Sequence, residues 1–213
     1  MMLSRPGGTM AGTKRRRKAR EEGEHEEDHD EHEDNEVYDE HIWLSIRNAI
    51  VMTEAIRDAL IKAFPGKQEI YKHNAEEYIA KLNDLDNEYQ TIANKSDTII
   101  IADRFPFRYL MHDYNINYYA LFSGCSTESQ ASAENIAAII DKINATGTES
   151  IYVLETSDQK LAISIRDNKS VQKDLKIHVI NSCQSISQST LHSTSYLKIM
   201  AQNLEVLKKA IKI

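Results

Sequence analysis

The second half of the chain predicts an α/β fold: a four-stranded parallel sheet flanked by helices, preceded by one long helix. Short apolar runs recur at Thr98–Ala102, Tyr118–Phe122, Ile151–Leu154 and Ile177–Ile180. Segments with helical spacing separate them, and strands that alternate with helices indicate a parallel sheet with right-handed crossovers. From Gln68 to Ala93, Tyr71, Ala75, Tyr78, Leu82, Leu85, Tyr89 and Ile92 repeat in steps of four and three. That narrow stripe on an otherwise polar segment predicts a helix packed along one side only, about 40 Å long at 1.5 Å per residue.

Each element has its own signal. From Leu44 the positions Ile46, Ala49, Ile50, Thr53, Ile56, Leu60 and Phe64 recur at helical spacing, and Pro65-Gly66 ends that helix. A helix over Pro106–Tyr114 follows the first strand. Ser132 caps the next, which carries Ile136, Ile139, Ile140 and Ile143. A further helix lies near Gln159–Asp167, and the last, Thr194–Ile211, sets Leu197, Met200, Leu204, Leu207 and Ile211 on one face.

Charge divides the chain more sharply than its net value of −7 suggests. Residues 1–20 carry seven basic and no acidic residues, and residues 21–40 carry thirteen acidic and no basic ones. The remaining 173 residues are nearly neutral, with 20 acidic and 19 basic, so the folded part offers no nucleic-acid surface. The first twenty residues lack the apolar core of a secretory signal peptide, and no stretch is long and apolar enough to span a membrane. Neither a Gly-x-Ser-x-Gly, a phosphate-cradling glycine loop nor a His-Glu-x-x-His occurs, which speaks against an enzyme.

Metal chemistry is written most densely in Glu24–Trp43. His25, His29 and His32 sit among carboxylates with no basic residue between them, and His41 closes the run just before the first helix. Imidazole nitrogen and carboxylate oxygen are both zinc ligands, and oxygen-rich sites also accept manganese. A solvated acidic tract is the competing reading for the tract alone; His41 differs because it stands at an ordered boundary. In an open parallel sheet, ligands bind at the carboxyl ends of the strands. Those ends read Asp103, then Ser123-Gly124-Cys125, then Glu155, then Asn181, which gives three oxygen-bearing metal candidates. Polar loops after strands are the plain alternative. His73, His112, His178 and His192 are read as solvated or structural.

These residues resemble a known family. Asp39-Glu40-His41-Ile42-Trp43-Leu44-Ser45 is similar to the Asp-Pro-His-x-Trp-Leu-Asp motif of the metal-binding proteins of zinc and manganese ABC uptake systems. Phe107-Arg108-Tyr109-Leu110 through Tyr114-Asn115-Ile116 resembles the family's Phe-Gly-Tyr-Phe…Tyr-Gly-Leu segment. Tyr196-Leu197-Lys198-Ile199-Met200 with Asn203-Leu204 resembles its final helix. The resemblance implies that His41 is a metal ligand behind a mobile His/Asp/Glu-rich loop, and that the long helix links two lobes. It further implies that Glu155 matches a carboxylate ligand of the manganese-type members.

Two departures follow. Arg104 stands where the family has its third ligand, a histidine, with Asp103 beside it, and Asn181 takes the place of a ligand Asp. The family's first lobe has no counterpart before the loop, so the chain resembles a truncated member. The expected organisation is a disordered basic and then acidic segment over residues 1–40, a remnant of the first lobe over 41–66, the linker helix over 67–96, and a C-terminal α/β lobe over 97–213.

The resemblance implies a monomeric solute-binding component that captures Zn2+ or Mn2+ outside the cytoplasmic membrane, peripheral to it, and delivers the ion to an ABC permease, without nucleic acid. The alternative is a soluble His-rich metal buffer in which only the tract matters. Cys125 and Cys183 both follow strand ends on one edge, so a bridge between them is an open expectation in an oxidising location. Two or three strand spacings of nearly 5 Å would exceed its reach of roughly 7 Å unless the loops fold inward.

Overall fold

Alternating side chains fix the middle of the fold. In the first strand Ile99 and Ile101 face one core while Ile100 and Ala102 face another, the two-sided burial that a parallel sheet covered by helices requires. The structure is a computed structural model that describes residues 39–122 and 131–211. The described residues belong to one compact unit.

A short 3-10 turn at Ile42–Leu44 leads into α1 (Ile46–Ala63), and a second turn at Pro65–Lys67 leads into α2 (Gln68–Gln90). Strand β1 (Thr98–Ile101), helix α3 (Arg108–Asp113) and β2 (Asn117–Ala120) follow. Then come α4 (Ala133–Thr146), β3 (Ser150–Leu154), α5 (Lys160–Arg166), β4 (Lys176–Ile180) and α6 (Tyr196–Leu207). All pairings are parallel and the strand order is β2-β1-β3-β4.

Sequence-coded caps set the helix bounds. Ser45 Oγ accepts from Asn48 N at the start of α1, Ser132 Oγ from Asn135 N at α4, and Ser195 Oγ from Lys198 N at α6. Gly147 closes α4 at φ +64, a left-handed cap that a side chain would strain. The long helix ends three residues earlier than the spacing predicts, at Gln90. Beyond it Thr91, Ile92 and Ala93 make tighter i-to-i−3 bonds, and Asn94 turns the chain at φ +56. At 23 residues the helix is about 35 Å long.

Helices α2, α3 and α6 cover one face of the sheet, and α4 and α5 cover the other. Of the predicted stripe, helix α2 buries Ala75, Leu82, Leu85 and Tyr89 and leaves Tyr71 and Tyr78 half-buried, and Ile92 is buried just beyond its end. Its hold on the lobe is chemical as well as apolar: Tyr89 donates its hydroxyl to the Met200 carbonyl at 2.8 Å and stacks on Tyr114 at 5.0 Å between centroids. Helix α1 packs chiefly against α2. It buries only Ile46, leaving Val51 at 62% and Ile56 at 58% exposure.

Candidate metal centre

The first carboxyl ends of interest are those of β1 and β3, because the strand order reverses between these neighbours. That reversal is where an open α/β sheet forms its ligand crevice. Asp103 follows β1, Glu155 follows β3 and Asn181 follows β4.

His41 reaches this edge through a chain of hydrogen bonds. The Trp43 indole donates to the Ser182 carbonyl at 3.0 Å. Ser182 in turn donates its amide to Glu155 Oε2 at 2.9 Å and its hydroxyl to Oε1 at 2.7 Å. The 3-10 turn that carries His41 and Trp43 is thereby fastened to the loop after β4 and, through it, to the carboxylate after β3. On the other side Tyr109 of α3 donates to the Asp39 carbonyl at 2.9 Å, and Ser45 donates to Asp113 at 2.6 Å.

His41 itself is 1% exposed. Its Nδ1 lies 2.6 Å from Asp39 Oδ1, and its backbone amide donates to the same oxygen at 2.9 Å. A carboxylate only accepts at neutral pH, so Nδ1 carries the proton and the ring lone pair sits on Nε2. This is the carboxylate–histidine arrangement that orients metal-ligating imidazoles. Trp43 packs on the ring at 5.3 Å between centroids. Ligand atoms of Asp39, Glu40 and His41 lie within 4.8 Å of one another. Glu40 is exposed; Asp39 Oδ1 takes both the ring and the amide of His41, and Arg108 Nε stands 3.9 Å from its Oδ2.

The three oxygen candidates are placed by the same backbone they would help close around an ion. Asp103 accepts from Arg104 N at 2.8 Å and Leu154 N at 3.2 Å, using one oxygen for each. Glu155 has both oxygens on Ser182, yet a carboxylate offers about four lone-pair sites, so each oxygen keeps capacity for a metal. Asn181 spends its side-chain oxygen on Cys183 N at 2.8 Å, and its backbone is bracketed by the buried Asn203 amide at 2.8 and 2.9 Å. Arg104 is exposed beside Asp103. Burial, and then the Glu155 charge, push the Cys183 thiol up to about 11, so it is protonated at neutral pH.

His25, His29, His32 and Cys125 lie outside the described residues, which leaves the tract and the Cys125–Cys183 bridge as expectations. His73 and His112 are exposed on helices, His192 is exposed in a loop, and His178 contacts Ser150 at 3.2 Å. Sequence reasoning missed Asp39 and Ser182 as positioning residues. Asp39 had a legible signal, a carboxylate two residues before a histidine; Ser182 had none, since only the fold brings it to Glu155.

The described residues thus form a covered parallel sheet with a carboxylate-paired, buried histidine near its ligand edge. The chain belongs to the family of the periplasmic component A of zinc-uptake complexes, whose model matches residues 7–210. It is 30% identical over 176 residues to the zinc-binding protein AdcA of Streptococcus pyogenes, which covers 82% of this chain and 33% of that protein. It is 27% identical over 178 residues to a metal ABC transporter substrate-binding lipoprotein of Lactococcus lactis, covering 81% and 55%.

Among solved structures, the Zn(II)-bound ZnuA-like domain of Streptococcus pneumoniae AdcA superposes with a TM-score of 0.67 at 30% identity, over 83% of this chain and 65% of that one. The metal-dependent lipoprotein YcdH of Bacillus subtilis does so with a TM-score of 0.69 at 29% identity, over 81% and 64%. The chain thus spans about a third of the length of its streptococcal relative AdcA.

Proposed function

We propose that this chain is the C-terminal, metal-holding half of a solute-binding component of a zinc or manganese ABC uptake system. It captures the ion outside the cytoplasmic membrane, peripheral to it and as a monomer, and passes it to the permease without chemical change. The observation that carries the reading is His41: buried, oriented through Nδ1 by Asp39, and fastened by Trp43 and Ser182 to the Glu155 carboxylate. The names of the relatives point the same way.

In this reading His41 and Glu155 are the ligands supplied by residues 41–213, with Asp103 and Asn181 at the margin of the site. On this reading residues 41–66 are a remnant of the first lobe, and the exposure of Val51, Met52 and Ile56 on α1 supports it as a face that a further lobe would cover. Residues 67–96 form the link; its helical part, Gln68–Gln90, is continuous and would limit how far the lobes part. Imidazole favours zinc, and each added oxygen moves the preference toward manganese.

Zinc titration followed by histidine side-chain nitrogen NMR tests this. Zinc is expected to perturb His41 Nε2 while Nδ1 keeps its proton. An unperturbed His41 at saturating zinc overturns the assignment.

A further inference from the structure

The carboxylate paired with His41 has a second neighbour. Helix α3 begins at Arg108, and its first turn meets Asp39 twice. Tyr109 donates its hydroxyl to the Asp39 carbonyl at 2.9 Å, and Arg108 Nε stands 3.9 Å from Asp39 Oδ2. The two carboxylate oxygens are thereby divided. Oδ1 takes the ring and the amide of His41, and Oδ2 faces a guanidinium.

Magnitudes decide what Arg108 does there. The Asp39 side chain is 7% exposed, and two short bonds from His41 already fix it. The Arg108 side chain is 56% exposed and its contact lies at the outer limit of an ion pair, so it adds little hold. What remains is charge. A guanidinium keeps its proton, so a permanent positive charge stands against the carboxylate through its other oxygen. That charge draws on the negative charge that holds the Nδ1 proton and supports Nε2 as a donor. It also repels an arriving divalent cation.

We infer that Arg108 is a positioning residue that acts through Asp39 and loosens the grip of His41 on a divalent ion. A loosened ligand suits a protein that passes its ion on. The effect on the ion rests on the metal role proposed for His41. The coupling of Arg108 to the Asp39–His41 pair does not, and it can be read without metal.

The test uses the full chain with His25, His29 and His32 replaced by Ala, so that zinc reports on His41. Without metal, the His41 Nδ1 proton resonance should move downfield in Arg108→Gln, as the hydrogen bond to Asp39 strengthens. It should stay in place in Arg108→Lys, which keeps the charge. Lys173→Gln makes the same charge change in the loop before β4, at the other end of the sheet, and should also leave it in place. Calorimetry should show zinc bound about two- to fivefold more tightly by Arg108→Gln, the scale of a half-exposed charge. Arg108→Lys should match the parent, and the gain should shrink in about 1 M salt, where charges are screened within about 3 Å. An unmoved Nδ1 proton in Arg108→Gln, zinc affinity at His41 that is unchanged or weaker, or a gain that Arg108→Lys shares, overturns the inference. A moved proton in a chain whose His41 ignores zinc would overturn the metal role instead, and with it the effect on the ion.

Discussion

His41 Nδ1 and Asp39 Oδ1 lie 2.6 Å apart and the histidine is 1% exposed; in the proposed site this contact would decide which nitrogen faces a metal. A proton held on Nδ1 would leave Nε2 as the ligating atom of the proposed site and make the imidazole a stronger donor. Replacing Asp39 by Asn removes the charge while keeping the shape. Zinc affinity at the His41 site should fall about ten- to hundredfold, as for other orienting carboxylates. Calorimetry on chains whose loop histidines are already Ala reads this directly; equal affinities would show that Asp39 does not orient the ligand.

The acidic tract should bind zinc in another way. His25, His29 and His32 stand among carboxylates without a basic residue between them, so the tract is expected to take up several zinc ions weakly and independently of the fold. Replacing the three histidines by Ala should abolish the weak phase of a calorimetric titration. An unchanged stoichiometry would show that the tract is not a metal-binding element.

Asn203 is a structural test of the ligand edge. Its buried side chain donates to the Asn181 carbonyl and accepts from the Asn181 amide, so it stands where a neighbouring strand would at the end of β4. Asn203→Ala leaves both backbone groups without their partner, at about 1–3 kcal/mol for a buried group left unpaired. Chemical denaturation should show that loss; a stability unchanged within error would mean that water replaces the amide.

His178 gives a pH dependence whose sign is fixed. Burial, and behind it Lys209 and Lys176, lower its pKa from 6.5 in the folded state. The unfolded chain therefore binds the proton first. Stability is fully present above pH about 6.5 and declines as pH falls from there through the depressed folded value. Melts of the parent chain and His178→Asn between pH 5 and 7.5 should converge at the upper end, with the parent losing more on acidification. A parallel pair of profiles would rule out His178 as a contributor.

Much of this fold is legible in the sequence because its signals are local. The α2 positions Ala75, Leu82, Leu85 and Tyr89, the serine cap at Ser132 and the four apolar strands each announce themselves within a few residues. Parallel pairing follows from the alternation. The site is legible only in part. His41 and the strand-end positions stand out by chemistry, but what holds them comes from far along the chain: Trp43 meets Ser182 across 139 residues and Glu155 meets it across 27. No spacing in one sequence encodes such contacts. The shortening of α2 at Gln90 was likewise hidden, since Thr91–Ala93 keep the apolar rhythm while the backbone tightens.

The central claim is that His41 anchors the ion and that residues 41–213 alone hold it loosely, with Arg104 exposed beside Asp103 and the Asn181 side chain engaged with Cys183 N. The direct measurement is zinc binding by the chain carrying His25→Ala, His29→Ala and His32→Ala, read by calorimetry and by competition with a tight chromogenic chelator. The account predicts one weak equivalent that fails to draw zinc from the chelator and is lost in His41→Ala. A zinc ion held tightly against the chelator, or binding that survives His41→Ala, would contradict it.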